Sequence, residues 1–238
     1  MKKIIFILAF LAIGLHAEEI YATFNVEAEK SANLAFSSSG IVNSVMANIG
    51  TEVKKGDTLA TLQNDDLKAM LHVAQTALKY AKKEYERQVK VKNIIDQSKF
   101  DQYAFKYENA KAQLQYQQAL LDKTILKAPF DGVIFAKSVE KGDVVSGAMI
   151  RTIFKIQSLH KRKLVLEFDQ KYWNVIRTGD RFSYKIDGGS KVHQGSISKI
   201  YPSVDSNKRK MKAEVLTEDV IVGLFGDGTV TSSGKKQD

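Results

Sequence analysis

The side chains able to do catalytic or metal chemistry are few in this sequence, and they are scattered. Four histidines, His16, His72, His160 and His193, stand far apart, and there is no cysteine. No H-E-x-x-H pair, no phosphate-cradling glycine loop and no serine in a nucleophile-elbow setting occurs. The carboxylates form no pair at a spacing that would share acid and base roles. Met46, Met70, Met149 and Met211 are thioethers that bind soft cations when they cluster, and here they are dispersed. The sequence therefore predicts no catalytic residue, no metal ligand and no cofactor: a protein that is not an enzyme.

Charge narrows the partners. Lys and Arg number 36 against 27 Asp and Glu, a formal charge of +9, spread along all 238 residues rather than gathered in one block. No motif that reads DNA or RNA accompanies it, so no nucleic-acid partner is expected. Absence of cysteine is compatible with an oxidising compartment.

Met1 to Ala17 has the layout of an export signal. Lys2 and Lys3 precede an apolar run from Ile4 to Leu15, and Leu15-His16-Ala17 offers a cleavage site before Glu18. The apolar run falls short of the ~20 residues needed to span a bilayer. The expectation is removal of residues 1–17 between Ala17 and Glu18, and a chain delivered outside the cytoplasm.

The elements that follow are organised around a repeat. Gly40-Ile41-Val42, Gly50 and Val53 are matched 92 residues later by Gly132-Val133-Ile134, Gly142 and Val145. Short apolar runs with Gly turns between them read as strands in both copies. Residues 37–64 and 124–158 are thus two halves of one small β-domain, similar to the split lipoyl or biotinyl fold. The turn that would present a modified lysine is missing, and Asp122-Lys123-Thr124 is the nearest approach. No swinging-arm carrier is expected.

Between the halves, residues 65–123 contain neither Gly nor Pro. Leu67, Leu71, Ala74, Leu78, Ala81 and Tyr85 alternate spacings of four and three. Phe100, Tyr103, Tyr107, Ala110, Leu114 and Leu121 continue the pattern, with Gln117 the polar exception. This is the seam of a coiled coil, predicting two helices and a reversal near Asn93 to Ser98, with Asp96 or Ser98 capping the second. Arms of this length project on the order of 40 Å. Turns at Asn64 to Asp66 and Lys123 to Lys127 would hinge them.

Residues 18–36 read as N-terminal strands. Residues 159–231 alternate as short strands with turns every eight to twelve residues, the pattern of a small β-barrel, with a short helix from Gln170 to Ile176 carrying the only Trp. Residues 232–238 read as a polar tail. The fold class is mostly β with a long α-helical hairpin: a split lipoyl-like domain interrupted by a coiled coil, plus a small β-barrel.

This order of parts resembles the periplasmic adaptor (membrane fusion protein) family of resistance-nodulation-division type tripartite efflux pumps. Leu126 to Ile134 (LKAPFDGVI) is similar to that family's entry into the second lipoyl half. Ser203-Val204-Asp205 with Lys208-Arg209-Lys210, and Gly223 to Gly226, are similar to its barrel signature. The resemblance implies a periplasmic protein that bridges an inner-membrane transporter and a TolC-type outer-membrane channel, and that self-associates in the assembled pump. Members that dock on such channels carry Arg, three residues, Leu, six residues, Ser at the hairpin tip. Arg87, Val91 and Ser98 have that spacing, with valine in place of leucine. By the family's pattern Arg87 would be a hydrogen-bonding cation, Val91 an apolar contact, and Ser98 both a cap and a donor. The family's membrane-proximal domain is expected to be reduced or absent. Two alternatives stay open: a heavy-metal efflux adaptor that binds and hands on cations, and an adaptor of an ABC-type exporter.

Overall fold

The computed structural model describes residues 18–149 and 151–232, so the expected signal and its cleavage bond at Ala17 lie outside or at the edge of the described residues. Two compact units are present, Met1–Glu29 with His160–Asp238, and Lys30–Leu159. Among the described residues no helix is long and apolar enough to cross a membrane.

The first strand, β1 (Glu18–Ala28), belongs to the first unit, and the chain then enters the second through β2 (Ser31–Leu34). The segment 18–36 thus forms strands, and these are divided between the two units. Strands β3 (Gly40–Val45), β4 (Glu52–Val53) and β5 (Thr58–Leu62) make up the first half-motif. After two helices, β6 (Ile125–Lys127), β7 (Gly132–Lys137), β8 (Val144–Val145) and β9 (Phe154–Gln157) make up the second. They form two four-stranded sheets, ordered β2-β9-β7-β4 and β6-β5-β3-β8, so each sheet takes strands from both halves.

The exchange is reciprocal. β3 pairs with β8 through Gly40↔Val145 and Ile41↔Val144, while β4 pairs with β7 through Val53↔Gly132 and Glu52↔Val133. Shifting either set by 92 residues produces the other, as a pseudo-twofold requires. Buried Val42, Val53, Leu59, Leu62, Ile134, Phe154 and Ile156 fill the space between the sheets. At about 1.5–3 kcal/mol for each large apolar side chain, this burial is what holds two halves without continuous sheet together.

Helix α1 (Asp65–Val89, 25 residues) and helix α2 (Gln97–Asp122, 26 residues) pack on each other. The residues in contact are those of the four-three pattern. Ala74, Phe100 and Leu121 are buried, the remaining seam positions are half-buried, and most intervening Lys, Gln and Glu are exposed. Tyr85 stacks on Tyr107 with ring centroids 5.2 Å apart and meets Phe100 at 5.7 Å.

At the root, the buried Asn64 amide donates to the Thr124 hydroxyl at 2.9 Å, and that hydroxyl donates to the Leu121 carbonyl at 2.6 Å. Leu62 N donates to the Thr124 carbonyl at 2.9 Å. Of the two hinge turns expected here, only the short piece Lys123-Thr124 is a turn. Asp65 and Asp66 are helical, and Ile125–Lys127 is a strand paired with β5. Buried polar groups left unpaired would cost about 1–3 kcal/mol each, so this bonded root is a stiff joint.

In the first unit, β1 closes a six-stranded barrel with β10 (Lys161–Asp169), β11 (Arg181–Ile186), β12 (His193–Asp205), β13 (Lys210–Glu218) and β14 (Phe225–Ser232), in the order β1-β10-β13-β12-β11-β14. Alternate residues of β1, from Ile20 through Phe24 to Ala28, point inward. Phe24 meets Phe182 and Tyr184 edge-on, with centroids 5.9 and 5.3 Å apart. The strands run longer than their apolar cores implied: β12 continues to Asp205, and Ser232, expected in the tail, is buried in β14 with its hydroxyl on the Val175 carbonyl. The helix expected over Gln170 to Ile176 is only a 3-10 turn, Gln170–Tyr172, because Val175 and Ile176 drop into the barrel core.

Candidate functional site

The residues of the Arg-Val-Ser pattern lie at the turn joining α1 to α2. Arg87 sits in the last turn of α1, where a cation suits the negative end of the helix dipole, and is exposed. Val91 is the pivot of the reversal. Its carbonyl accepts from both Ile94 N (2.9 Å) and Ile95 N (3.2 Å), and its own amide donates to the Gln88 carbonyl at 3.1 Å. That backbone role leaves its side chain 38% exposed.

Ser98 is not the cap. Asp96 takes that position, its Oδ1 accepting from Lys99 N at 3.3 Å. Ser98 is the second residue of α2, with an exposed side chain. A carboxylate at the positive end of a helix is the stronger cap here, because it adds charge to the hydrogen bond. Ser98's hydroxyl is thereby left available to a partner.

Arg87 and Ser98 line separate shallow depressions. The first is lined also by Tyr80, Lys83, Tyr85 and Lys90. The second is lined also by Asp101, Gln102, Phe105 and Lys106. Between them the turn presents Ile94, 86% exposed, a residue that no periodicity in the sequence singles out because it belongs to no helix. On the chain to either side of it Arg87, Lys90, Lys92 and Lys99 are exposed, with Glu86, Asp96 and Asp101 the exposed acids of the same stretch. Lys92 Nζ lies 4.9 Å from the Phe100 ring centroid, so one of these cations is tethered over the seam's last aromatic. The result is an apolar knob on a mildly basic turn.

The other sequence candidates fall elsewhere. His72 is exposed on α1, His160 Nδ1 lies 2.8 Å from Asp219, and His193 stacks on Tyr184 with centroids 5.3 Å apart. Lys123, the nearest counterpart of a carrier lysine, is the C-cap of α2. Among the described residues no three His, Asp or Glu side chains gather as a metal site would require.

Residues 30–157, both half-motifs with the helices between them, match the CzcB-like, barrel-sandwich hybrid domain. The chain belongs to that family. A cobalt-zinc-cadmium resistance protein, CzcB of Cupriavidus metallidurans, is 27% identical over 205 residues, covering 79% of this chain and 39% of CzcB. The chain thus spans about two fifths of the length of that relative. A chimera of MacA carrying the Pseudomonas aeruginosa MexA α-hairpin domain superposes with a TM-score of 0.80 at 20% identity, over 90% of this chain and 79% of the chimera. The membrane fusion protein Spr0693 of Streptococcus pneumoniae superposes with a TM-score of 0.71 at 16% identity, over 90% of this chain and all of that one. These two likenesses speak to the fold. As a CzcB-like chain it has the fold that the order of its parts implied.

Proposed function

We propose that this CzcB-like chain is the adaptor subunit of a tripartite efflux pump. It would work in the periplasm, joined to the cell envelope after loss of residues 1–17. In this reading the paired helices are a coiled-coil hairpin whose tip docks on a TolC-type outer-membrane channel. An inner-membrane resistance-nodulation-division transporter is the second partner, further copies of the chain complete the assembly, and the role is non-enzymatic. The observation that carries the reading is the turn itself: Arg87, Val91 and Ser98 are all exposed at the end of a stiffly rooted helix pair. An exposed apolar knob on a mildly basic turn has no use within this fold and fits an acidic, partly apolar protein surface.

A second reading concerns the cargo. The name of the CzcB relative favours cobalt, zinc and cadmium over drugs or bile salts. Both readings are tested by growth of a strain lacking the chain, complemented with wild type or Arg87→Glu, on these cations and on dyes and bile salts. Restoration by wild type and its loss with Arg87→Glu, at equal protein level, is expected. Equal restoration by both removes the tip from the docking role. Sensitivity confined to dyes and bile salts removes the metal cargo.

A further inference from the structure

A second unpartnered surface lies on the barrel, and nothing in the tip reading uses it. The turn after β10 and the hairpin turn between β12 and β13 are hydrogen-bonded neighbours. Asp169 pairs with Lys210 across the β10–β13 ladder, and Gln170 N donates to the Arg209 carbonyl at 3.1 Å. Trp173 N in turn donates to the Gln170 carbonyl at 3.0 Å. This chain of bonds brings Trp173, Lys171, Lys208 and Arg209, all exposed, to one end of the barrel.

The carboxylates at this end are committed to the turns themselves. Asp169 Oδ1 accepts from Lys171 N at 2.9 Å, and Asp205 Oδ1 accepts from Asn207 N and Lys208 N at 3.0 and 3.1 Å. The backbone bond from Lys208, with help from Asn207 and the nearby lysine charges, outweighs burial and holds the Asp205 carboxyl below its usual range. Among the described residues, Lys171, Lys208 and Arg209 make no ion pair. Arg209 even occupies a left-handed position, φ 52°, that Gly or Asn would fill with less strain. Trp173 is 67% exposed on the same pair of bonded turns.

We propose that this end of the barrel rests on an anionic lipid surface, with Trp173 in the headgroup layer and Lys171, Lys208 and Arg209 on the phosphates. Indole rings concentrate at membrane interfaces, and clustered Lys and Arg draw a protein to anionic leaflets. A tryptophan that anchors a protein contact sits in a fitted pocket excluded from water. One standing clear of the surface, on turns that also carry cations on long flexible stems, matches the bilayer interface better.

Trp173 is the only tryptophan in the chain, so its emission reports on this surface without a label. The full chain is mixed with vesicles of phosphatidylethanolamine and phosphatidylglycerol, with and without brominated acyl chains, and with neutral phosphatidylcholine vesicles. The expected result is a shift of Trp173 emission to shorter wavelength and quenching by the brominated chains, in the anionic vesicles only. Both should be reversed by about 1 M salt, where charges are screened within ~3 Å. Replacing three cations, Lys171→Gln, Lys208→Gln and Arg209→Asn (asparagine suits the left-handed position), should weaken this signal's lipid dependence on the order of a hundredfold. Circular dichroism checks that the barrel is retained.

Unchanged Trp173 emission overturns the proposal even if the chain sediments with vesicles, because another segment is then responsible. Quenching that survives in the triple variant overturns it as well. A response only to solubilised envelope proteins, and not to lipid, replaces the bilayer with an acidic protein partner.

Discussion

The amide of Gly50 donates to the carbonyl of Ile134 at 2.8 Å, and the amide of Gly142 donates to the carbonyl of Val42 at 2.9 Å. Each residue of the second bond lies 92 positions from its counterpart in the first, so the two half-motifs hold each other by the same contact made twice. Both glycines have positive φ, 85° and 95°, and open space where a Cβ would go. Gly50→Ala and Gly142→Ala should therefore cost about 1–2 kcal/mol each from strain alone, lowering Tm by roughly 2–4 °C per kcal/mol. Near-equal shifts are expected. Gly132→Ala, whose new Cβ would run into the Gln157 carbonyl, should cost about 3 kcal/mol. Thermal unfolding of the three variants checks the ranking.

Gln117 gives a prediction of opposite sign. It occupies a seam position on α2, and its Oε1 is buried without a hydrogen-bond partner. Relieving an unsatisfied buried acceptor is worth about 1–3 kcal/mol. Gln117→Leu keeps the volume close and should raise Tm. A lower Tm in the variant would show that the amide is satisfied in solution.

The barrel wall carries a pH-sensitive group. Burial opposes ionisation of Glu214, but hydrogen bonds from the Tyr201 hydroxyl (2.7 Å) and Lys163 ammonium (3.2 Å), with the lysine charges, outweigh it and hold the carboxyl below its usual range. A folded pKa below the unfolded one adds stability at neutral pH, and that stability is lost as pH falls below about 4. Wild type should lose Tm on acidification through that range more steeply than Glu214→Gln. Parallel curves for the two proteins would remove Glu214 from the acid response.

Much of this was legible in the chain because the signals are local or repeated. The four-three seam named the contact residues of both helices, and the 92-residue offset marked the two half-motifs as parts of one β-domain, though not which strands exchange between its sheets. What escaped depends on partners distant in sequence. β1 gave no sign that it closes the barrel, because its ladders run to β10 and β14 near the other end of the chain. The approach of the turn carrying Trp173 to the turn carrying Arg209 rests on one backbone bond, from Gln170 N to the Arg209 carbonyl. At the candidate site, spacing located Arg87, Val91 and Ser98 but left the cap open between Asp96 and Ser98. It also gave no reason to notice Ile94, which is set apart only by its exposure on the turn.

The central claim is that the turn between α1 and α2 meets an outer-membrane channel. The chain has no cysteine, so single substitutions report without background. Arg87→Cys, Val91→Cys, Ile94→Cys and Ser98→Cys would be crosslinked in cells, with Lys79→Cys on the exposed helix shaft as control. The account predicts crosslinks to an outer-membrane channel from the turn positions and not from Lys79→Cys. Crosslinks from the shaft alone, or none to any outer-membrane protein from the four turn positions, would contradict it.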